Sequence, residues 1–318
     1  MKITNVEAIV LRLPEVSAAA DGTQDTCLIR IDTDADITGW GEVDSAPTVI
    51  KAIIDAPLSH QLANGLANAL VGADPLDRAG CRARMERALN FYGRVGAGVH
   101  AMAGIDVSLW DLAGKVAGRS VSELLGAAPE QRFRAYASLL FGDTPAETYE
   151  RGRRFADAGF SAIKFGWGPM GCSARKDIEL VRQAKRGAGA DVTVLVDAGQ
   201  VWDWQTALER VEAFIEFDIG FLEEPLAPDD LDGYRELCRR SPVPIATGEA
   251  ESLTTAFEKL LDCGVDIIQP DPGRCGITTM VEAGRLARAC GAGAINHTFK
   301  SGISMAASLH ALAAIGGG

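Results

Sequence analysis

Seven short apolar runs, separated by amphipathic helical stretches, repeat along the chain from about residue 135 onward. Their starts lie about 22–30 residues apart, the length of one strand followed by one helix. Because parallel neighbours need helical crossovers, this alternation predicts a parallel sheet, and its repetition favours an α/β fold of the TIM type, a closed (β/α) barrel. The runs span residues 136–141, 162–167, 192–197, 220–224, 244–249, 266–271 and 293–297.

The first part of the chain has a different pattern. Alternating apolar residues predict a small antiparallel sheet with strands near 6–10, 28–31 and 37–43. Apolar residues at helical spacing predict a helix over 99–116 that stops near Gly118. We therefore expect an N-terminal α+β domain over 1–125 and a barrel domain over 126–318.

The number of runs is one short of a full barrel, which has eight strands. The chain stops at Gly316-Gly317-Gly318, shortly after the seventh run. We expect either a modified barrel that lacks its last strand or a sequence that lacks its natural C-terminus.

Charge and cysteine content exclude several classes of protein. Lys and Arg number 31 and Asp and Glu 43, so the net charge of −12 argues against a partner that is nucleic acid or an anionic membrane. Seven scattered cysteines without a Cys-x-x-Cys pair favour reduced thiols. The N-terminus has no apolar signal core, and no apolar run approaches about 18 residues. We expect a cytoplasmic protein.

Acidic residues occupy the C-terminal ends of three consecutive runs. Asp197, Glu223 and Glu249 are spaced 26 residues apart, and this interval selects Glu223 rather than Glu224. Strand ends of a barrel meet at one rim, and carboxylates brought together there lose their charge or bind a cation. Oxygen ligands without Cys or His favour Mg²⁺. A single acid after a strand is more often a helix cap or a surface charge, but three in series predict a metal site.

Three further polar residues occupy equivalent positions: Lys164, Asp271 and His297. An Asp that accepts a hydrogen bond from a His orients the ring and raises its basicity, so this pair predicts a proton-transfer group. A lone histidine is more often a hydrogen-bonded core residue. The remaining histidines have no such neighbour and are interpreted as structural: His60, His100 and His310.

These residues resemble the enolase superfamily, in its mandelate racemase/muconate lactonizing enzyme-like branch. The motifs are Val196-Asp197, Glu223-Glu224-Pro225, Gly248-Glu249, Gln269-Pro270-Asp271 and His297, with the segment 104–115 in the N-terminal domain. The resemblance implies a capping domain followed by a TIM-type barrel, and a homo-oligomer. It implies that Asp197, Glu223 and Glu249 bind one Mg²⁺ and that Asp271 and His297 form a general-base dyad. Such enzymes remove the proton α to a carboxylate through an enediolate.

The chain departs from this family on the second barrel strand, where relatives carry Lys-x-Lys. Measured from Gly159-Phe160, Lys164 takes the first position and Gly166 replaces the second lysine. Measured back from Phe165-Gly166-Trp167, Lys164 takes the second position instead. The first alignment is preferred because a strand rarely tolerates a deletion within its run. The family's glutamate on the eighth strand has no counterpart that can be named in this chain.

These departures favour dehydration of an acid sugar to a 2-keto-3-deoxy acid, since racemisation needs a second base on the opposite face. A racemase or epimerase is the alternative if Lys164 holds the second position. Remote alternatives are a dinucleotide-binding oxidoreductase, because residues 166–171 match G-x-G-x-x-G, and a metal-binding barrel without catalysis. The resemblance also implies that segments 18–25 and 92–94 close over the substrate. The candidate substrate contacts are Trp167, Lys300 and Tyr92.

Overall fold

The computed structural model describes residues 1–17, 24–128 and 131–316. Its N-terminal part contains the antiparallel sheet that the alternating residues predicted, in the order β1-β2-β3. Residues 18–23 of the predicted closing segment lie outside the described ranges. The elements of this part are β1 (Ile3–Arg12), β2 (Asp25–Thr33), β3 (Thr38–Val43), α1 (Pro47–Asp55), α2 (Leu66–Leu70), α3 (Arg78–Ala88), α4 (Ala97–Ala117) and α5 (Val121–Leu124).

Helix α4 confirms the helix predicted over 99–116, and it ends at Gly118 in the left-handed conformation that favours glycine. It packs on the antiparallel sheet at very short distance because glycines lie at the contact. A Cβ at Gly41 would lie 2.1 Å from the carbonyl oxygen of Gly104, and one at Gly104 would lie 2.3 Å from Cγ2 of Val43. Aliphatic side chains fill the core beside this contact: Ile29, Ile31, Ile105, Leu109 and Leu112.

As far as the structure describes it, the C-terminal part is a parallel sheet of seven strands in sequence order, each followed by a helix. All seven predicted runs overlap one of these strands. The strands are β4 (Ala137–Leu140), β5 (Ala162–Gly166), β6 (Thr193–Asp197), β7 (Ile219–Glu223), β8 (Ile245–Thr247), β9 (Ile267–Ile268) and β10 (Gly293–Ala294). β7 begins one residue before its run and has the predicted length, and the other six strands are shorter than predicted. The helices are α6 (Pro145–Asp157), α7 (Ala174–Ala188), α8 (Trp204–Phe214), α9 (Leu231–Arg240), α10 (Thr254–Asp262), α11 (Pro272–Ala289) and α12 (Gly302–Ile315).

Alternation along these strands separates two apolar clusters. Ile163, Phe165, Val194, Val196 and Leu222 pack with the surrounding helices. A second, smaller cluster on the other face contains Ala162, Leu195, Phe221 and Ala246. Side chains two positions apart on a strand share a face. The residue two positions after each member of this smaller cluster therefore points into the same interior. Three of them are Lys164, Asp197 and Glu223.

Contacts between the two parts of the chain place the antiparallel sheet against the barrel. Glu42 on β3 accepts hydrogen bonds from the hydroxyl groups of Ser301 and Ser304 at the start of α12, at 2.6 and 2.7 Å. On α4, Asp106 accepts hydrogen bonds from the backbone and hydroxyl of Thr278 on α11. These buried polar contacts join residues that are far apart in sequence, so the capping domain is held in one position on the barrel.

Two predictions about the chain as a whole were tested by the structure. All seven cysteines are free, as their scattered spacing predicted. Within the described ranges, no helix combines the length and the apolar character that crossing a bilayer requires.

Replacing Gly41 with alanine is expected to lower the free energy of unfolding by about 1–3 kcal/mol, because the added methyl group overlaps the Gly104 carbonyl. Urea titration followed by circular dichroism measures this change. Gly302→Ala is the control, since nothing lies within 4 Å of a Cβ at that position. Equal losses in the two variants would contradict the close packing of α4 on the sheet.

Candidate active site

The ends of β5, β6 and β7 bring an acidic pair and a lysine into contact. Parallel pairing sets Gly166 beside Asp197 and Asp197 beside Glu223, and Lys164 lies two residues earlier on β5. The Lys164 ammonium forms a short hydrogen-bonded ion pair with Glu223 Oε1 and lies 3.7 Å from Asp197 Oδ2. All three side chains are buried. The strands therefore bring two carboxylates and one ammonium group together at the strand ends, where the sequence predicted them.

Asp197 has more negative charge around it than Lys164 balances. Its carboxylate accepts hydrogen bonds from the backbone of Gly199 at 3.0 Å and from Trp167 Nε1 at 3.1 Å. Burial, opposed by Lys164 and reinforced by the charges of Glu223 and Glu249, raises the pKa of Asp197 to about 7. A carboxyl in this environment is stabilised by an additional cation.

Glu249 is turned toward the same region by an irregular backbone. Gly248 has a φ of 115°, which breaks the strand alternation after β8. The Glu249 carboxylate then lies 3.5 Å from His297 Nε2 and 3.5 Å from the Arg274 guanidinium. Glu249 is therefore held between the histidine and the arginine.

The structure brings Asp271 and His297 together as the Asp–His hypothesis predicted. His297 Nδ1 is 2.7 Å from Asp271 Oδ2, and Asp271 also caps α11 by accepting from the backbone of Gly273. This bond directs Nε2 toward Glu249. Burial alone lowers the pKa of His297, but the hydrogen bond to Asp271 and the charge of Glu249 outweigh it, so the pKa is raised.

Asp44, at the end of β3, adds a contribution from the capping domain that sequence reasoning missed. Its carboxylate pairs with Arg274 at 2.8 Å and with Lys300 at 3.4 Å. Among the residues described, Asp44, Asp271 and His297 form the one group of three His, Cys, Asp or Glu side chains whose ligand atoms all lie within 4.8 Å of one another. The three predicted metal ligands, Asp197, Glu223 and Glu249, do not meet this distance criterion.

The chemistry of the donor set nevertheless fits a divalent cation beside Asp197, Glu223 and Glu249. Asp197 and Glu223 share one ammonium, while Glu249 contacts Arg274 and His297. All three carboxylates are buried, and burial of unpaired negative charge is costly. Gln269 donates to Glu223 Oε2 at 2.8 Å, and its buried Oε1 has no hydrogen-bond partner among the described residues. Hard oxygen donors are the ligands that Mg²⁺ prefers. The residues present therefore fit the metal that the resemblance implied.

Gly166 faces Asp197 with no side chain between them. A Cβ at this position would lie 2.7 Å from Cβ and 2.8 Å from Oδ2 of Asp197. Lys164 contacts Asp197 and Glu223 two residues earlier on the same face. The charges of Glu223 and Asp197 outweigh the effect of burial and raise the pKa of Lys164, so the amine is held in its charged form.

The three candidate substrate contacts have different positions. Trp167 is two-fifths exposed, and its indole N–H donates to Asp197 Oδ2, so this side chain lies at the rim of the site. Lys300 reaches Asp44 and the carbonyl oxygen of Asp25. Tyr92 donates to the carbonyl oxygen of Asn64 within the capping domain, and in the described part of the chain it makes no hydrogen bond with the barrel.

The glycines of 166–171 do not lie at a helix N-terminus. Gly166 ends β5, while α7 begins at Ala174 with Ser173 as its cap. A dinucleotide pyrophosphate binds at a helix N-terminus that follows the glycine turn directly. The geometry of this turn therefore does not support the oxidoreductase alternative.

Glu224, which the 26-residue interval set aside, is also buried. It has a φ of 40° and accepts a hydrogen bond from Gln200 at 2.7 Å through Oε2, while Oε1 has no partner among the described residues. Burial and the charge of Glu249 raise the pKa of Glu224 to about 8. Glu224 therefore lies just beyond β7 in a backbone conformation that interrupts the alternation of the strand.

The histidines interpreted as structural include one that joins the two domains near the site. His100 on α4 hydrogen-bonds Ser45 through Nδ1 at 3.1 Å and Ser252 through Nε2 at 3.0 Å. His60 packs against Phe91 by an edge contact, and His310 accepts from the backbone of Ser122. All three have structural partners, and His100 holds the loop that follows Glu249.

Replacing Asp44 with asparagine is expected to lower the free energy of unfolding by about 3 kcal/mol, because Arg274 loses the shorter of its two ion-pair contacts and keeps the one with Glu249 at 3.5 Å. Thermal and urea unfolding measure the loss. Asp232→Asn is the control, since its pair with Arg235 is exposed and should contribute less than about 1 kcal/mol. Similar stability of Asp44→Asn and the wild type would show that Asp44 does not hold the arginine.

Comparison with known proteins identifies both parts of the chain. Residues 3–126 match the mandelate racemase/muconate lactonizing enzyme N-terminal domain, and residues 147–318 match the family described as enolase C-terminal domain-like. The chain is 29% identical over 298 residues to D-galactarolactone cycloisomerase of Agrobacterium fabrum. The aligned region covers 91% of this chain and 75% of that protein.

Solved structures give the same result. A predicted mandelate racemase from Rhodobacter sphaeroides superposes with a TM-score of 0.91 at 35% identity, covering 98% of this chain and 81% of that one. A mandelate racemase/muconate lactonizing protein from Paracoccus denitrificans, solved with magnesium, has a TM-score of 0.87 at 26% identity, with coverages of 98% and 82%. The chain belongs to the mandelate racemase/muconate lactonizing enzyme branch of the enolase superfamily, with its TIM-type barrel and N-terminal capping domain.

Proposed function

We propose that this chain removes the proton α to the carboxylate of a sugar acid and then eliminates the oxygen on the β carbon, giving a 2-keto-3-deoxy acid by dehydration. The superfamily supports α-proton abstraction in general. The observation that favours elimination is at Gly166. A base on the opposite face is needed for racemisation, and this position carries no side chain.

The site residues have separate roles in this proposal. Asp197, Glu223 and Glu249 would hold Mg²⁺, which when bound stabilises the negative charge that develops on the substrate carboxylate. Lys164, held in its charged form by two of these acids, keeps them in position. The lysine is therefore assigned an electrostatic role and not that of a second base.

His297 is assigned as the general base. Its Nδ1 is bound to Asp271, so Nε2 is the nitrogen that accepts the α proton, and Asp271 stabilises the imidazolium that results. The C–H electron pair forms the enediolate, which collapses to a carbon–carbon double bond as the β C–O bond breaks. The imidazolium returns its proton to the leaving oxygen, water departs, and the enol tautomerises to the 2-keto acid.

Ring opening of a sugar-acid lactone or anhydro sugar is a second candidate. When the oxygen on the β carbon is part of a ring, the same elimination opens the ring and this oxygen stays bonded to the rest of the molecule. The product is then an isomer of the substrate. The similarity to D-galactarolactone cycloisomerase favours this candidate. It needs the same single base, and therefore it is consistent with Gly166. Racemisation or epimerisation requires a second base, and Lys164 is engaged by two carboxylates.

Products distinguish these reactions. The purified chain would be incubated with MgCl₂ and a panel of aldonic acids, aldaric acids and their lactones in D₂O, followed by mass spectrometry and a carbonyl-trapping assay. Dehydration gives a keto product lighter by one water, and ring opening gives a keto product without loss of water. Exchange of the α proton without any keto product would favour a racemase and contradict the proposal, as would activity that survives chelation of Mg²⁺.

Replacing His297 with asparagine is expected to lower kcat by about 10²–10⁴-fold or more, because the variant has no group that can accept the α proton. Magnesium affinity, measured by calorimetry, should stay nearly unchanged because His297 is not one of the proposed ligands. His60→Asn is the control for a histidine outside the site. Equal loss of turnover and of metal affinity would contradict the assignment.

A further inference from the structure

A cavity of about 270 Å³ lies between helices α3 and α4 of the capping domain and helix α11 of the barrel. It is separate from the strand ends that carry the candidate active site. An engineered cavity of about 150 Å³ in another protein accommodates benzene, so this volume has room for an aromatic ring and a small substituent. The cavity is large enough for a small organic molecule, and the proposed function does not use it.

One part of the wall is apolar. Met85 and Leu89 on α3 face Val99, Met102 and Leu109 on α4 across the space. Met85, Leu89 and Leu109 are almost completely buried. Such surfaces favour the apolar body of a ligand, because its transfer from water is favourable by roughly 25 cal/mol per Å².

Another part of the wall is cationic. Arg78, Arg82 and Arg94 all contribute to it. Arg82 is paired with Glu86 at 2.9 Å, whereas none of the described carboxylates lies within salt-bridge distance of Arg78 or Arg94. The Arg78 guanidinium stacks 3.7 Å above the Trp110 ring, which fixes its orientation and leaves its N–H groups free of an acidic partner.

The acids of the wall already have partners. Both oxygens of Asp106 accept hydrogen bonds from Thr278, which stabilise the carboxylate. Glu86 is bound by Arg82. The unpaired charge of the cavity is therefore positive. We propose that the cavity binds a small organic carboxylate whose aromatic or aliphatic body packs against Met85 and Met102 and whose carboxylate is bound by Arg78.

The two methionines of the wall provide a direct measurement. Phenylacetate serves as the probe, and phenylacetamide is its uncharged analogue. In the chain of 318 residues labelled with ¹³C at the methionine methyl groups, phenylacetate should shift the resonances of Met85 and Met102 with one common Kd. Met170, which follows Trp167 beside the candidate active site, and Met305 on α12 should not move. Phenylacetamide should bind at least about tenfold more weakly, the loss expected for one charge-assisted hydrogen bond.

Variants on α3 test the cationic group. Arg78→Gln should weaken phenylacetate binding by about tenfold or more, whereas Arg84→Gln, an exposed residue of the same helix outside the cavity wall, should leave it unchanged. Ala103→Leu fills the space from α4 and should abolish binding. Thermal unfolding without ligand shows which variants are folded, and Ala103→Leu decides the question if Arg78→Gln does not fold.

Four outcomes would overturn the proposal. The first is equal affinity for phenylacetate and phenylacetamide, and the second is a shift of the Met170 resonance only. The third is that Met85 and Met102 do not shift at about 10 mM phenylacetate, and the fourth is that their shifts depend on the protein concentration and not on the ligand concentration. The second would show binding at the candidate active site only, and the last would show that a second copy covers the cavity. None of these results bears on α-proton abstraction, because no residue of the cavity wall has a role in it.

Discussion

The crowding of carboxylates at the ends of β6, β7 and β8 is the constraint on which the site depends. Asp197 and Glu223 are adjacent in the parallel register, and both are buried, so their charges repel one another in a medium that screens them weakly. Lys164 compensates part of this charge from the neighbouring strand. Burial, together with the remaining negative charge of Glu223 and Glu249, raises the pKa of Asp197 and makes the region favourable for a divalent cation.

The capping domain contributes to this electrostatic arrangement as well as covering the barrel. Asp44 lies at the end of β3 and binds Arg274, which in turn contacts the backbone and side chain of Glu249. His100 connects the same two domains through Ser45 and Ser252. The position of Glu249 therefore depends on contacts from both domains. A change in the relative placement of the domains would move Glu249 with respect to His297 and to the other proposed metal ligands.

Most of the barrel could be predicted because each of its signals is local. An apolar run defines a strand, and the 26-residue interval between strand ends selects Glu223 over Glu224. Boundaries were less accurate: β9 and β10 are two residues long where six and five were expected. Beyond them, the backbone N–H groups of Gln269 and Ile295 still donate to Thr247 and Ile268 of the neighbouring strands. Tyr92 shows the opposite case, since an aromatic loop residue has no pattern that reveals which partner it meets.

The amino-acid sequence by itself determined the fold class, the order of the strands and the residues that reach the rim, because period and spacing act over a few neighbouring residues. The tertiary structure alone decided that Lys164 pairs with Glu223, that Gly166 has no room for a side chain beside Asp197, and that Asp44 meets Arg274. Asp44 and Arg274 are 230 residues apart, and no local pattern encodes such a pair. Their contact follows from how the capping domain packs on helix α11 of the barrel, which depends on the shape and charge of whole surfaces.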